Sequence, residues 1–465
     1  MPDTPSSPLA SSDITHQIHG FTDLAHPNED ELMVITEGDG IYVIDDRGNR
    51  YLDCTAGMYC TALGFNEPEL AEAAYAQMRR LPTYHNLLAT TNPPATALSK
   101  KLIEITPEQL TKVFLVNSGS EANDTIIKLI WYYNNALGRP EKKKIISRKG
   151  SYHGSTVATS SLTGVPSMYT GFDVPMEGFL KVDGPHIFRE MKPGEDEQAY
   201  GARLVRQVED RIQKEGPETV AAMVVDPLAS AAGFQFSPKG YFERLQAVLR
   251  KYDVLFVVDE VISGFGRTGR MFAAETLGLK ADLMSIAKGL CSAYLPIAGV
   301  LMTEEIFAAI AKQSGEFGMF AQAFTTGGHP TTSAVALRNI ELIEERDILA
   351  HVRSVSPRFL ERLQALTAHP LVGEAHGLGL AGTVELVTGK PGDVPFDDEG
   401  RKRIRPLMRD YASKHGLIPR GWVERQSFAP PLIITEQQID EMFDRFTRTL
   451  DDALVQLRAE GVVAA

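Results

Sequence analysis

Short, mostly apolar runs alternate with helical patterns between about Leu98 and Gly328, and this alternation constrains the fold more than any other feature of the chain. Runs of this length predict strands that are buried on both faces of a sheet. Because helical segments separate them, the strands favour a mainly parallel sheet with right-handed crossovers, which is an α/β fold. The predicted strands are Val113–Val116, Lys144–Ser147, Val220–Val225, Val254–Val258, Leu283–Ala287 and Ile297–Met302.

Two of these strands are followed directly by a charged residue. Asp259 follows Val254–Val258, and Lys288 follows Leu283–Ala287. Ligands of parallel sheets bind outside the carboxyl ends of the strands, so we expect both side chains at one rim. Burial lowers the pKa of a lysine and makes its amine a nucleophile toward carbonyls. An acid that faces it can hold a cationic ring nitrogen. Enzymes that use pyridoxal phosphate (PLP) require this pairing of an imine-forming lysine and an acid.

Length and composition indicate a two-domain protein without nucleic-acid or membrane partners. The 465 residues exceed one ordinary core, and the contents of 43% hydrophobic and 23% charged residues are typical of globular proteins. The net charge of −13 without a basic stripe argues against nucleic acid and anionic membranes. Three unclustered cysteines argue against a disulfide framework or a structural metal site. With no signal peptide and no long apolar run, we expect a cytoplasmic location.

The segments outside the alternating region predict a second, smaller domain. Ile41–Asp53 is a predicted hairpin, and the region after Pro330 predicts a long helical segment, a pair of strands around Gly377–Leu386 and a final helix. One face of that helix carries Ile439, Met442, Phe443, Phe446, Leu450 and Leu454. We therefore predict an N-terminal arm, partly disordered, at 1–35, a small domain formed by 36–80 with 331–465, and a large domain at 81–330.

A candidate phosphate cup lies where the strand that ends at Val116 meets a helix. Gly119 allows close backbone approach, Ser118 or Ser120 supplies a hydroxyl, and the free N–H groups of the first helical turn face outward. An ordinary helix N-cap explains the same three residues, so the interpretation depends on their lying in the same sheet as Asp259 and Lys288.

Two further loops carry candidate ligands of a bound ring or phosphate. Tyr152 could stack on a ring that Gly154 lets approach, although a buried tyrosine with a satisfied hydroxyl fits equally well. His153 has no second histidine or cysteine at metal-ligand spacing, so no metal site is predicted. The loop Ala323–Pro330 carries hydroxyls that could reach a phosphate in this subunit or in a neighbour, but its glycines are also common in plain turns.

Taken together, these motifs resemble class III PLP-dependent aminotransferases, and within them the ω-transaminases. The block from Asp259 to Gly269, followed by Ala-Lys-Gly at Lys288, is the most specific part, and the resemblance runs from about Thr36 to the final helix. The resemblance implies a fold-type I PLP-dependent transferase, with a mainly parallel seven-stranded sheet in the large domain. It rests on Asn117–Asn123, Ser151–Ser155, Val258–Gly269, Ala287–Leu290 and Gly327–Pro330.

The resemblance also implies a role for each candidate residue. Lys288 is similar to the Schiff-base lysine of the family, and Asp259 to the partner of the pyridinium nitrogen. Val261 and Tyr152 would pack on the two faces of the ring, with His153 also part of the cofactor site. The implied phosphate ligands are Ser118, Gly119 and Ser120, with Thr325 from the second subunit of a homodimer. Arg420 is similar to the mobile arginine that pairs with the carboxylate of an acceptor.

Four positions depart from the usual pattern of the family. Asp226 stands where a glutamate is usual, which keeps a carboxylate near the cofactor but retracts it by about one methylene. Tyr59 replaces a usual tryptophan, and Leu87 and Leu88 occupy positions that are commonly aromatic. Because three bulky rings are reduced, we expect a substrate pocket that accepts a larger or longer amine.

The predicted reaction is a ping-pong transamination from a primary amine to a keto acid such as pyruvate, with Lys288 as general base. The alternative within transamination is an ω-amino acid or diamine donor of the putrescine, γ-aminobutyrate (GABA) or β-alanine type. The same scaffold also hosts decarboxylases and aminomutases, effector-sensing regulators and proteins without chemistry. Arg420 favours transamination, the short leader argues against a regulator, and the intact Lys288 and Asp259 argue against a protein without chemistry.

Overall fold

A computed structural model describes residues 8–26, 32–389, 394–422 and 424–463. Of the predicted N-terminal arm, residues 1–7 and 27–31 lie outside these ranges. The strands are β1 Ile35–Asp39, β2 Tyr42–Asp45, β3 Arg50–Asp53, β4 Leu110–Val116, β5 Lys144–Arg148, β6 Phe179–Val182, β7 Val220–Val225, β8 Leu255–Asp259, β9 Leu283–Ile286, β10 Ala298–Thr303, β11 Val372–Leu378, β12 Ala381–Leu386, β13 Leu417–Ile418, β14 Arg420–Trp422 and β15 Arg425–Phe428.

Helices cover the sheets and connect most of the strands. They are α1 Pro8–His16, α2 Ala56–Tyr59, α3 Pro68–Arg80, α4 Pro93–Ile105, α5 Gly119–Ala136, α6 Val157–Leu162, α7 Ile187–Glu190, α8 Glu197–Glu215, α9 Tyr241–Lys251, α10 Ala273–Leu277, α11 Glu304–Phe317, α12 Pro330–Glu345, α13 Ile348–Ala365, α14 Asp398–Lys414 and α15 Glu436–Ala459. Across the described ranges, no helix combines the length and the apolar character that crossing a bilayer requires.

The largest sheet has seven strands in the order β4-β10-β9-β8-β7-β5-β6. The pairs β9·β8, β8·β7, β7·β5 and β5·β6 are parallel, and β10 runs antiparallel to both of its neighbours. Every residue of β7 is buried, as a strand covered on both faces requires. The mainly parallel α/β sheet expected from the sequence is therefore confirmed.

Two smaller sheets carry the N-terminal and C-terminal segments. The first has the order β1-β2-β3-β13, so that the C-terminal strand β13 joins the N-terminal hairpin of β2 and β3. The second has the order β11-β12-β15-β14. Helix α15 begins with a capping box at Thr435, and its buried face includes all six apolar residues expected from the sequence. These contacts agree with the predicted small domain, whose boundaries stay a prediction.

The structure contains strand β6, which the apolar runs of the sequence did not predict. It is short, and Lys181 in its middle breaks the apolar pattern. The structure accommodates this lysine because its amine donates to the Ser147 hydroxyl and to the carbonyl of Leu162, each at 2.7 Å. Burial without an acidic partner lowers the pKa of Lys181 to about 7.

Candidate active site

One pocket opens at the carboxyl ends of the central strands of the seven-stranded sheet. Strand β8 ends at Asp259, and Lys288 follows two residues after the end of β9, so both side chains reach the same rim. This is the position expected for ligands of a parallel sheet. Most of the predicted cofactor residues line this pocket, namely Ser118, Gly119, Ser120, Tyr152, His153, Asp226, Asp259, Val261 and Lys288.

Lys288 begins a short 3-10 turn and has a left-handed backbone conformation, with φ of +47°. A residue other than glycine rarely adopts this conformation, and such strain is concentrated at functional sites. The residue keeps some exposure to the pocket, but the surrounding protein removes most of the water from its amine. This burial lowers the pKa of Lys288 to about 8. A much larger share of neutral amine is therefore present near pH 8 than for an exposed lysine.

Asp259 is buried and is fixed by three hydrogen-bond donors. Its Oδ2 accepts from Asn123 Nδ2 at 2.8 Å and lies 2.8 Å from Nδ1 of His153. Its Oδ1 accepts from the backbone N–H of Val261 at 3.1 Å. Donors of this kind hold the carboxyl group in one orientation. The arrangement presents an acid to the pocket in a fixed position.

The Ser118–Ser120 segment is a helix cap that leaves two backbone N–H groups free at the start of α5. Ser118 is the N-cap of α5, and its hydroxyl accepts from the N–H of Glu121 at 3.1 Å, so the ordinary cap is present. The N–H groups of Gly119 and Ser120 have no acceptor in the described part of the chain. They lie at the positive end of the α5 dipole, where an anion gains roughly 0.3–1 kcal/mol. A Cβ on Gly119 would lie 3.2 Å from both methyl groups of Val261, so the loop and Val261 form one tight wall.

Tyr152 and His153 differ in exposure although they are adjacent. The Tyr152 hydroxyl lies 2.7 Å from the Ser155 hydroxyl, and the residue is partly exposed to the pocket. His153 is buried, and its backbone N–H donates to the hydroxyl of Thr163 at 3.1 Å. The ring of His153 faces Asp259, whereas the side chain of Tyr152 can contact a ligand in the pocket.

We expect Gly154→Ala to lower the free energy of unfolding by about 2–4 kcal/mol, since strain and overpacking add. Gly154 has φ of +140°, and a Cβ would lie 2.5 Å from the Thr159 hydroxyl and 2.7 Å from the Ser120 hydroxyl. Chemical denaturation measures the loss. Gly171→Ala is the matched control, because Gly171 has φ of +90° but open space around it. An equal loss in both variants would show that backbone strain alone acts at Gly154.

Asp226 lines the pocket and pairs with a buried arginine that the sequence analysis missed. Arg148 Nη2 lies 3.2 Å from Asp226 Oδ1, and Arg148 Nη1 donates to the hydroxyl of Ser237 at 3.1 Å. Burial raises the pKa of Asp226, and the positive charge of Arg148 opposes that shift. The shorter acid thus keeps a charged partner despite its retraction.

Tyr59 and Arg420 flank Lys288. The Lys288 amine lies 5.7 Å from the centre of the Tyr59 ring, and the Arg420 guanidinium lies 5.8 Å from the same centre. Tyr59 is buried and packs edge-on against Phe234, with ring centres 5.4 Å apart. A second cation therefore lies beside the same ring as the lysine. Leu228 of the pocket lining packs in the same cluster.

Five predicted residues do not line this pocket in their own chain: Tyr59 and Arg420, which lie close to Lys288, and Thr325, Leu87 and Leu88. Thr325 is exposed in a turn ahead of α12, Leu87 is partly exposed, and Leu88 is 92% exposed with φ of +53°. A leucine rarely adopts a left-handed backbone conformation. The contribution of these residues to a site stays a prediction.

Asn123 and Arg148 are two polar residues of the site to which the sequence analysis gave no role. Asn123 lies one helical turn after Gly119, on the same face of α5, so helical spacing from the cup could have revealed it. Arg148 ends β5, and a charge at the end of a predicted strand was the signal that revealed Asp259 and Lys288.

Known proteins resemble the chain over nearly its full length. The sequence model of the Aminotransferase class-III family matches residues 24–450. A probable γ-aminobutyrate transaminase 2, mitochondrial, of Oryza sativa is 42% identical, covering 98% of this chain and 93% of the relative. The solved omega transaminase of Pseudomonas jessenii in complex with PMP is 44% identical with a TM-score of 0.94, covering 97% and 99% of the two chains.

A third similar protein is a thermostable omega transaminase variant engineered for asymmetric synthesis of enantiopure bulky amines. It is 44% identical with a TM-score of 0.94 and covers 97% of this chain and 100% of its own. The chain belongs to the class III aminotransferase family, and its fold is that of the fold-type I PLP enzymes. It is an aminotransferase that uses pyridoxal phosphate.

The pocket fits this cofactor group by group. The amine of Lys288 matches the aldehyde, and the fixed carboxylate of Asp259 matches a protonated ring nitrogen. The free N–H groups at the start of α5 match the phosphate. Gly119 and Gly154 leave open the space that a Cβ would fill on the cup and beside Tyr152. The residues present therefore suit pyridoxal phosphate.

Proposed function

We propose that the enzyme transfers an amino group from a bulky or long-chain primary amine to a keto acid such as pyruvate. The observation that carries this proposal is the neighbourhood of Lys288, which shares the pocket with the acid Asp259 and shares the Tyr59 ring with the guanidinium of Arg420. An amine, an acid and a separate cation suit a substrate that bears both a carbonyl and a carboxylate. A ping-pong reaction lets both substrates use this one pocket in turn.

Lys288 and Asp259 divide the proton transfers in this proposal. Lys288 would hold the cofactor through its amine, and its freed amine would accept the proton that leaves the substrate carbon. Asp259 keeps a proton on the ring nitrogen, and each pKa unit it adds represents about 1.4 kcal/mol. When bound, the cofactor supplies the aldehyde and the ring that accepts electrons.

The other residues bind and orient. The Gly119 and Ser120 N–H groups, with the Ser118 and Ser120 hydroxyls, hold the phosphate. Val261 and Tyr152, which both line the pocket, would pack on the two faces of the ring and so orient it. His153 and Asn123 keep Asp259 in the orientation that points to the ring nitrogen, and Asp226 with Arg148 supports the rim beside it.

The pKa of Lys288 predicts how fast apoenzyme takes up pyridoxal phosphate at different pH. The neutral amine attacks the aldehyde, and its fraction rises with pH until the pKa of about 8 is passed. We expect the rate of recombination to rise up to about pH 8 and to level off above it. Stopped-flow absorbance measures the rate. A rate that still rises tenfold per pH unit between about pH 9 and pH 10 would contradict a lowered pKa.

Substrate size follows from the reduced rings in this proposal. Tyr59 is smaller than the usual tryptophan, and the structural neighbour engineered for bulky amines supports a pocket of this kind in the family. The second candidate donor is an ω-amino acid of the GABA type, which the names of the plant relatives favour. Pyruvate with a panel of donors separates the two, with alanine formation as the readout. Strict preference for small amines would rule out the first, and activity with GABA above all other donors would establish the second.

Restoring the tryptophan tests the pocket directly. We expect Tyr59→Trp to lower kcat/KM for bulky amines by about tenfold or more and to spare small amines, because an extra ring occupies the space beside Lys288. Tyr59→Phe is the control, since it removes the hydroxyl and keeps the size of the ring. Equal losses for large and small amines in Tyr59→Trp would show that Tyr59 does not set substrate size.

A homodimer with active sites at the interface completes the proposal. Thr325 would donate to the phosphate of the neighbouring subunit, and Leu87 and Leu88 would cover its substrate pocket. The exposure of Leu88 supports this arrangement, because its side chain is available to a second subunit. Cytoplasmic location is proposed with it, supported by the free thiols of Cys54, Cys60 and Cys291.

A further inference from the structure

Arg420 carries a buried donor without an acceptor. Its Nε has no hydrogen-bond partner in the described part of the chain, although the atom is removed from water. The residue begins β14 opposite Ser427 of β15, and its guanidinium stands over the Tyr59 ring. Arg420 is partly buried, and a ring contact does not satisfy its buried Nε, so a nearby negative charge stabilises this cation.

Asp53 supplies that charge. Strand β13 runs parallel to β3, with Ile418 opposite Asp53, and Arg420 follows two residues later. Main-chain pairing therefore brings the buried carboxylate and the arginine to the same end of two neighbouring strands. Burial raises the pKa of Asp53, and the positive charge of Arg420 acts in the opposite direction.

The carboxylate of Asp53 is held away from a closed ion pair. Its Oδ1 accepts from the Thr55 N–H at 2.8 Å and from the Thr55 hydroxyl at 3.3 Å, and its Oδ2 accepts from the Gly57 N–H at 2.9 Å. These bonds fix both oxygens on the segment that leads to Tyr59. Asp53 thus attracts Arg420 over a distance without occupying its donors.

We propose that Asp53 is the resident counter-ion of Arg420 and sets how strongly the enzyme prefers acceptors that carry a carboxylate. This inference rests on the proposed function, in which Arg420 binds the carboxylate of the acceptor. An acceptor carboxylate has to compete with Asp53 for one guanidinium, whereas a neutral acceptor does not. Asp53 is therefore a positioning residue that acts through Arg420.

Substitutions of opposite character at Asp53 have opposite expected effects. Asp53→Asn removes the competing charge, and we expect KM for pyruvate to fall about tenfold. Asp53→Glu extends the acid by one methylene toward Arg420, so KM for pyruvate rises. KM for butanal, a neutral acceptor, stays within about twofold in both variants because no charge competes.

Initial rates of the holoenzyme with one saturating amine measure both acceptors, and titration calorimetry with propionate measures carboxylate binding without turnover. We expect propionate to bind more tightly to Asp53→Asn and more weakly to Asp53→Glu. The control is Thr55→Val, which removes the hydroxyl bond to Asp53 and keeps the charge. It should shift KM for pyruvate and butanal together.

An equal rise in KM for pyruvate and for butanal in both Asp53→Asn and Asp53→Glu would overturn the inference. A purely structural role of Asp53 would raise KM in both variants, whereas the proposal expects opposite changes in KM for pyruvate. If Asp53→Asn does not fold, Asp53→Glu still tests the inference. The inference requires that KM for pyruvate rises in this variant and that KM for butanal does not. Arg420→Leu separates the two proposals. An unchanged KM for pyruvate in Arg420→Leu would remove the carboxylate role of Arg420 itself. A raised KM there, with unchanged values in both Asp53 variants, would remove only the role of Asp53.

Discussion

Lys288→Ala is expected to abolish transamination, with a fall of at least about 10⁴-fold in kcat, because the general base and the cofactor attachment are lost together. The structure explains why replacing this single side chain should remove both functions. The buried amine, with its pKa of about 8, stands on the same rim as Asp259. Alanine formation measures turnover. Borohydride reduction followed by peptide mapping measures whether the cofactor becomes covalently attached at this position.

Lys181 offers a matched control for this experiment. It is also a buried lysine, with a pKa lowered to about 7, but it lies on β6 and its amine bonds to Ser147 and Leu162. Borohydride should therefore attach the cofactor in Lys181→Met as in the unmodified protein, even where stability falls. Attachment that persists in Lys288→Ala would contradict the assignment and would direct attention to another amine.

Sequence reasoning located Lys288 and Asp259 because strand ends of a parallel sheet converge. Each residue follows a buried apolar run, and the geometry of such sheets places the ends at one rim whatever the details of packing. The same reasoning applied to Arg148, which ends β5, would have added it to the site. Charge at the end of a predicted strand is thus a signal with general physical support.

Contacts between distant segments could not be found in this way. Tyr59, Arg420 and Asp53 meet because β13 pairs with β3 across more than three hundred residues of sequence, which no local pattern encodes. The pairing of Asp226 with Arg148 likewise depends on the direction in which a buried side chain points. Strand β6 was not predicted because Lys181 interrupts its apolar pattern. A charge inside a strand is tolerated only where hydrogen-bond acceptors surround it, and the sequence does not show those acceptors.

Asp259→Asn is expected to lower kcat by about 10²–10³-fold, the scale of removing one preorganised electrostatic group from an active site. Asparagine cannot hold the ring nitrogen protonated, since it carries no charge. It also cannot accept all of the hydrogen bonds that Asp259 accepts. Asn123 and His153 face one oxygen of Asp259, and the Val261 N–H faces the other. An amide offers one oxygen only, so its NH₂ group meets a donor in either orientation.

Cofactor affinity should change much less than kcat, because the phosphate cup and Lys288 are intact in Asp259→Asn. Rapid-mixing spectroscopy of the amine half-reaction measures the chemical step, and equilibrium dialysis measures the affinity. Asn123→Ala is the control, since it removes one donor to Asp259 but keeps the charge, and we expect a loss of about tenfold in kcat. If Asn123→Ala were as slow as Asp259→Asn, orientation rather than charge would be the contribution of Asp259. Near-normal kcat in Asp259→Asn would remove Asp259 from the proton transfers altogether.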